Sequence, residues 1–326
     1  MPIDFSDPEV AFAVEAACAA GDMAQAVQAG MTVTGVKKQD LSPVTVGDFS
    51  CQAIVAKMLH ERFHDAVLVG EEDSGILREQ PDVCDIVTDF VKKVHADATS
   101  ESVCEWIDGG NGTPCDRFWT LDPIDGTKGY LRGEQYAVAL ALIENGRVIL
   151  GVLVCPNLGI DCSLNNPETG VIIVAQRSKG CWRAPMNVPE NFVQMSVSPE
   201  NDIRNARLLR SVEAAHTNTG RLDELINAMG ITANPVRLDS QAKYAVLASG
   251  NGEMLLRLLS ARQPDYREMI WDQAAGSIVL EEAGGRITDL SGRTLDFGQG
   301  KTLAANQGVC ASNGPLHDAA LSALSD

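Results

Sequence analysis

Apolar residues along this chain recur in two rhythms, and the switches between them mark out its elements. Ser6, Pro8 and Glu9 form a capping box with proline in the first turn, which predicts a helix over about residues 7–29. SPVTV (42–46) reads as extended, and Asp48 then opens a second amphipathic helix running to about Phe63. AVLVG (66–70) is a short apolar strand that stops at Glu71-Glu72-Asp73, and a helix follows over 81–97. RFWTL (117–121) is a strand. QYAVALALIENGRVILGVLVCP (135–156) is a hairpin turning at Asn145-Gly146, and VIIVAQ (171–176) and FVQMSV (192–197) continue the strands.

From about residue 200 strand and helix alternate. ARLLRS, EMLLRL and RITDL read as strands, and GRLDELINAM, AKYAVLAS and WDQAAGSIVLEEAG as helices, with QGVCAS and PLHDAALSAL closing the chain. This pattern divides the chain into an N-terminal α+β half, 1–199, and a C-terminal α/β half, 200–326. The segment 99–116 is long, polar and glycine-containing, and reads as an insert before the next strand.

Composition narrows the function. The 326 residues are 45% hydrophobic, ample for a sizeable core, and carry a formal charge of −18. So acidic a chain, with no basic patch, is not expected to bind a nucleic-acid polymer or an anionic membrane. It can bind a small anion only through a few placed Lys or Arg or through metal ions. The N-terminal stretch lacks the basic region of a secretory signal, and no window approaches 18 uninterrupted apolar residues. Nine cysteines without a C-x-x-C pair, mostly within apolar runs, read as reduced, packed thiols, and the expected location is cytoplasmic.

Two short motifs carry less than they promise. HERFH (60–64) has the spacing of a zinc helix, but His60 and His64 fall with Lys57 opposite the apolar face formed by Ile54, Val55, Met58, Leu59 and Phe63. GKT (300–302) lacks the first glycine of a phosphate loop, because Leu295 stands there.

The chemistry lies in LDPIDGTKGY (121–130). Asp, Pro and Gly are ordinary turn residues, and alone the stretch is a turn. It is one of three acidic clusters at strand ends or helix starts, the others being Gly70-Glu71-Glu72-Asp73 and Asp272. Singly these read as solvated loops or helix caps. Converging, the carboxylates would repel one another unless cations lay among them, and a ligand set of oxygen alone favours Mg²⁺ over zinc. Backbone N–H groups of Gly126 and Thr127, at a helix start, would add anion donors.

GEED, DPIDGTKGYLRGEQYAVALALI and WDQAAGSIVLEEAGG resemble the metal-site motifs of the inositol monophosphatase superfamily. GTKG followed by LRGEQ, with SPVTVGD, VEAAH, LDSQAKYAVLASG and LDFGQGKTLA, is similar to its 3′(2′),5′-bisphosphate nucleotidases over about residues 5–315. The resemblance implies an α+β fold, the layered α/β/α/β/α sandwich of the inositol monophosphatase and sugar phosphatase type. It implies that Glu71, Asp122 and the Ile124 carbonyl hold one Mg²⁺ and Asp122, Asp125 and Asp272 a second, with Glu72 just behind. Thr127, hydrogen-bonded to Asp48, would orient and deprotonate a water. His216, Ser240, Lys243 and Arg257 would bind the nucleotide, and Asp272 would approach its ribose. The expected substrate is a small molecule, adenosine 3′(2′),5′-bisphosphate or its sulfated precursor, and Li⁺ should inhibit. The alternatives are an inositol phosphate or polyphosphate phosphatase and, in another class, a non-catalytic nucleotide sensor.

Overall fold

The computed structural model describes residues 3–34, 43–164, 169–212, 218–260 and 263–325. Its elements stack in five layers, α/β/α/β/α. The outer layer is α1 (Pro8–Thr34) and α2 (Pro43–Arg62), flanked by α4 (Pro81–Val91) and α5 (Ser100–Asp108), with the short α3 (Gly75–Glu79) beside α4. A sheet of seven strands lies beneath: β1 (Leu68–Gly70), β2 (Arg117–Asp125), β3 (Ala137–Glu144), β4 (Arg147–Cys155), β5 (Val171–Gln176), β6 (Gly180–Pro185) and β7 (Val193–Gln194), in that spatial order. Only β1 and β2 are parallel. The short α6 (Thr127–Arg132) follows β2 at the end of the sheet.

The middle layer is α8 (Ala242–Ala248) and α9 (Ala274–Glu282). A second sheet follows, ordered β11 (Arg286–Thr288), β12 (Val309–Ser312), β10 (Met254–Arg257), β8 (Leu208–Arg210), β9 (Val236–Arg237). The last layer is α7 (Thr219–Ala228) and α10 (His317–Ser325). One apolar cluster fills the space between the first helices and the first sheet, and another the space between α7, α10 and the second sheet. The third joins both sheets through α8 and α9, so the two parts of the chain share a core.

The strand pattern places the hairpin correctly. Asn145 (φ 49°) and Gly146 (φ 73°) are both left-handed, the backbone that a two-residue turn between β3 and β4 demands. Three expectations change. SPVTV is not extended: Pro43 starts α2 itself, so Asp48 lies inside the helix and not at its cap. FVQMSV contributes only the two-residue edge strand β7. The 99–116 insert contains α5, opened by a reciprocal Thr99–Ser102 cap and seated on buried Val103, Cys104 and Ile107. Among the described helices, α1 is long and apolar enough over Pro8–Met31 to cross a membrane by length and composition. Here it packs on α2, β3 and β4, with Val10, Phe12, Ala16, Ala20, Met23 and Val27 buried. His60 and His64 stand exposed, stacked edge to face on each other.

Candidate active site

A backbone irregularity sets the opening motif. Side chains three apart on a regular strand point to opposite faces. In β2 the pairing slips: Asp122 lies opposite Ala139 and Asp125 opposite Ala137, so three steps on β2 match two on β3. The extra residue returns both carboxylates to one face. Pro123 suits the bulge because it has no N–H to leave unpaired. Gly126 follows in a left-handed conformation (φ 92°) and turns the chain into α6. A Cβ on Gly126 would stand 2.8 Å from that of Ser240, so only glycine admits this close approach.

Two further elements bring acids to the same place. β1 runs parallel to β2 with Gly70 beside Leu121, which sets Glu71 next to Asp122. The loop is held by Gln52 of α2, which is fully buried. Its Nε2 donates to the carbonyls of Glu72 (2.5 Å) and Ile107 (3.0 Å), and its Oε1 accepts from the Glu72 N–H (3.0 Å). Gly47 lets α2 pass directly over Ile124, since a Cβ there would lie 2.6 Å from Cδ1. That carries Asp48 inward, where it is 4% exposed. Asp272 comes from the C-terminal half, in the turn before α9.

One cavity of about 280 Å³ gathers the result. Of the residues expected at the site, Glu71, Asp122, Ile124, Asp125, Thr127, Ser240, Lys243, Arg257 and Asp272 all line it. Asp48 lies behind its wall. His216 lies outside the described residues. Among the described residues no hydrogen bond joins Thr127 to Asp48; Thr127 is exposed to the cavity, and Asp48 Oδ1 is buried with no partner. The sequence reading missed Arg210, Tyr266 and Asp239, which also line the cavity, and Glu268, whose Oε1 lies 2.7 Å from Arg257 Nε. That contact is a charge pairing without hydrogen-bond alignment, since Nε has no aligned acceptor. Asp239 stands beside Ser240 in the LDSQAKYAVLASG segment but drew no role there, and the other three belong to no short motif, so no spacing signals them.

The electrostatics are those of a crowded set of acids. Burial, then the charges of Glu71, Asp125, Asp272 and Asp48, pushes Asp122 well above the usual carboxylate range. Burial and then Glu72 and Glu71 do the same to Asp48. Asp272 rises to about 8, through burial and then Asp125, and Glu72 to about 7, through burial and then Glu71. Glu71 is also raised by burial, although a hydrogen bond with the Asp122 carboxyl opposes the shift. Lys243 is 8% exposed, and burial lowers it to about 8 against the pull of Asp125.

This donor set suits a divalent cation. It is all oxygen, and buried Asp48 Oδ1 and Asp122 Oδ1 have no hydrogen-bond partner. Among the described residues no three acids surround one point as a finished cage. Mutual repulsion is the physical reason to expect such spreading.

The five-layer fold and the acid-lined cavity at its strand ends define a phosphatase of the layered sandwich class. The inositol monophosphatase family model matches residues 6–326, and the chain belongs to that family. It is 44% identical to a Schizosaccharomyces pombe 3′(2′),5′-bisphosphate nucleotidase over 291 residues, covering 84% of this chain and 81% of that protein. It is 40% identical to nucleotidases of the same name from Emericella nidulans, covering 89% of each chain, and from Oryza sativa, covering 98% of this chain and 94% of that one. Among solved structures it resembles an Anabaena inositol monophosphatase, with a TM-score of 0.62 and 20% identity over 96% of this chain and 94% of that one. It also resembles CysQ from Bacteroides thetaiotaomicron, with a TM-score of 0.61 and 17% identity over 95% and 98%. These two likenesses concern the fold alone.

The raised acids make a stability prediction. An acid whose pKa rises on folding stabilises the folded state below its unfolded value, near 4, and loses that contribution as pH climbs through the folded value. In EDTA the unfolding temperature should therefore fall as pH rises from about 4 through about 7 and 8, the values reached by Glu72 and Asp272. Mg²⁺ should raise it more at pH 8 than at pH 6. Differential scanning fluorimetry checks both, and a flat profile in EDTA would show that the acids do not repel as described.

Asp122→Asn tests the centre of the cluster. Removing one buried charge should raise the unfolding temperature in EDTA and abolish its Mg²⁺ response. Equal Mg²⁺ responses in variant and wild type would exclude Asp122 as a cation ligand.

Proposed function

We propose that this chain is a Mg²⁺-dependent 3′(2′),5′-bisphosphate nucleotidase, which hydrolyses the 3′ (or 2′) phosphate of adenosine 3′(2′),5′-bisphosphate to leave AMP and phosphate. The observation that carries this reading is the single cavity in which Glu71, Asp122, Asp125 and Asp272 face Ser240, Lys243 and Arg257. Nucleotidase relatives at 40–44% identity over most of the chain support it.

The acids and the Ile124 carbonyl would hold Mg²⁺, two ions on this reading. When bound, such cations supply positive charge to the phosphoryl oxygens and make nearby water more acidic. The remaining work falls to the chain. Thr127, at the start of α6 and open to the cavity, orients the attacking water through its hydroxyl. Asp48, behind the cavity wall with an uncommitted acceptor oxygen, would take the proton by way of the Thr127 hydroxyl. Burial, then the charges of Glu72 and Glu71, favours the protonated form of Asp48, and cation charge in the cavity would favour the ionised form in which it can act as a base. The water oxygen bonds to phosphorus, the ester bond to the ribose oxygen breaks, and the proton returns to that leaving oxygen.

Lys243 and Arg257 bind the 5′-phosphate, which is never cleaved. Ser240, left-handed at φ 69°, turns the segment that presents Lys243, and the family resemblance adds His216 to the nucleotide-binding residues. The substrate class is a small nucleotide, the sulfated precursor included.

A substitution pair separates chemistry from binding. Thr127→Ala should lower kcat and kcat/KM together by about 100-fold or more, the scale of lost general-base assistance. Lys243→Ala should raise KM for the bisphosphate by about 30–150-fold, corresponding to about 2–3 kcal/mol of charge-assisted binding. It should also erase the preference over a 3′-monophosphate. Retention of that preference would remove Lys243 from the 5′-phosphate site.

Substrate identity is tested by phosphate release from a panel with Mg²⁺. Adenosine bisphosphates should turn over fastest, and Li⁺ should inhibit. Faster release from an inositol phosphate would replace this assignment with that of an inositol phosphatase.

A further inference from the structure

Asp125 and Asp272 reach the cavity from different parts of the chain, and neither can be held in place by the other, because like charges repel. The residue that connects them is Gln241, which is 2% exposed and at the start of α8. Its backbone N–H donates to Asp125 Oδ2 at 2.6 Å. Its side chain uses both ends. Nε2 donates to the Trp271 carbonyl at 2.9 Å, and Oε1 accepts the Gly276 N–H at 2.9 Å. Those two groups flank Asp272, one on the residue before it and one in the first turn of α9.

The surrounding backbone is built for this reach. Left-handed Ser240 sits against Gly126, which brings the Gln241 N–H up to the residue preceding that glycine. A Cβ on Gly276 would lie 2.1 Å from the Tyr244 ring, so α9 approaches α8 at glycine distance and the amide spans the gap. A fixed neutral amide is the right group here. A charged side chain would add to the repulsion or compete for the cation.

We propose that Gln241 is the positioning residue that sets the spacing of Asp125 and Asp272, and through that spacing the affinity of the cavity for a divalent cation. The inference rests on the reading of these two acids as cation ligands. Gln241 also lines the cavity, and on this reading it acts through the two acids rather than on the cation or the substrate.

Gln241→Met and Gln241→Leu keep the backbone N–H and approximate volume but lose both side-chain bonds. The probe is Mg²⁺ alone, titrated without substrate and read as the rise in unfolding temperature. Half-saturation should need about tenfold more Mg²⁺ or higher in the variants, the scale on which partners behind metal ligands act. At saturating Mg²⁺ the KM for the bisphosphate should stay within about twofold, with any residual loss in kcat.

A purely structural glutamine predicts otherwise. The unfolding temperature would drop equally with and without Mg²⁺, and half-saturation would not move. That result, or failure of both variants to fold in EDTA, overturns the inference. A wild-type protein without any Mg²⁺ response would remove the cation reading as well. A normal wild-type response with unchanged variants removes Gln241 alone.

Discussion

Mutual repulsion among buried carboxylates is the constraint on which the rest of this structure depends. Two like charges 4 Å apart at an effective dielectric near 20 cost about 4 kcal/mol. Glu71, Asp122, Asp125 and Asp272 share one cavity, with Asp48 and Glu72 behind them, so the scaffold must hold them by something other than their attraction for each other. It uses backbone geometry and neutral amides. The bulge at Pro123 aligns Asp122 with Asp125, Gln52 pins the peptide of Glu72, and Gln241 ties Asp125 to the turn of Asp272.

The same constraint orders the layers. A strand end can carry acids to a common point only if the helices that cover it come close, and small residues mark those approaches. Gly47 sets α2 on Ile124, Gly126 meets Ser240, and Gly276 meets Tyr244. The core shared by both sheets makes these approaches rigid, because α8 and α9 are buried between them. Shifting one layer would therefore move ligands supplied by two.

The sequence reveals the site through chemistry that is local. Asp122 and Asp125 with Pro123 between them, the acids after β1 and the acid before α9 are contiguous patterns, and the structure collects them in one cavity. The hairpin is legible because Asn145-Gly146 is a left-handed turn with few alternatives. What stays hidden depends on distant packing. Val44 and Val46 favour a strand by β-branching, yet Pro43 in the first turn and burial of Val46 and Phe49 make a helix, which changes Asp48 from a cap into a buried acid. α5 hides behind Thr99, Ser100, Glu101 and Ser102, polar residues that belong to a capped first turn as readily as to a loop. Glu268 and Gln241 act through partners that are only spatial neighbours.

Charge bookkeeping explains how so acidic a protein suits a polyanionic substrate. Four cations line the cavity, Lys128, Arg210, Lys243 and Arg257. Several are already engaged: Arg210 lies 2.9 Å from Asp223, Arg257 is paired with buried Glu268, and Asp125 acts on Lys243. Arg132 adds little to the cavity, since its guanidinium is spent on Asp239 at 2.7 Å. The side chains alone therefore offer little uncompensated positive charge, while five acids face the same space: Glu71, Asp122, Asp125, Asp239 and Asp272. On the proposed reading the substrate would bind well only once cations occupy the acids, because the side chains alone leave its charge under-neutralised. Arg257 owes its place in the cavity to Glu268, which is fixed in turn by Gln273 (3.1 Å) and, through it, by Tyr244 (2.5 Å). Gln273 directly follows Asp272, so the arginine proposed for the 5′-phosphate and the acid proposed for the cation are oriented by one short stretch of chain. A coupling of that kind would let recognition of the uncleaved phosphate and placement of the cleaved one proceed together.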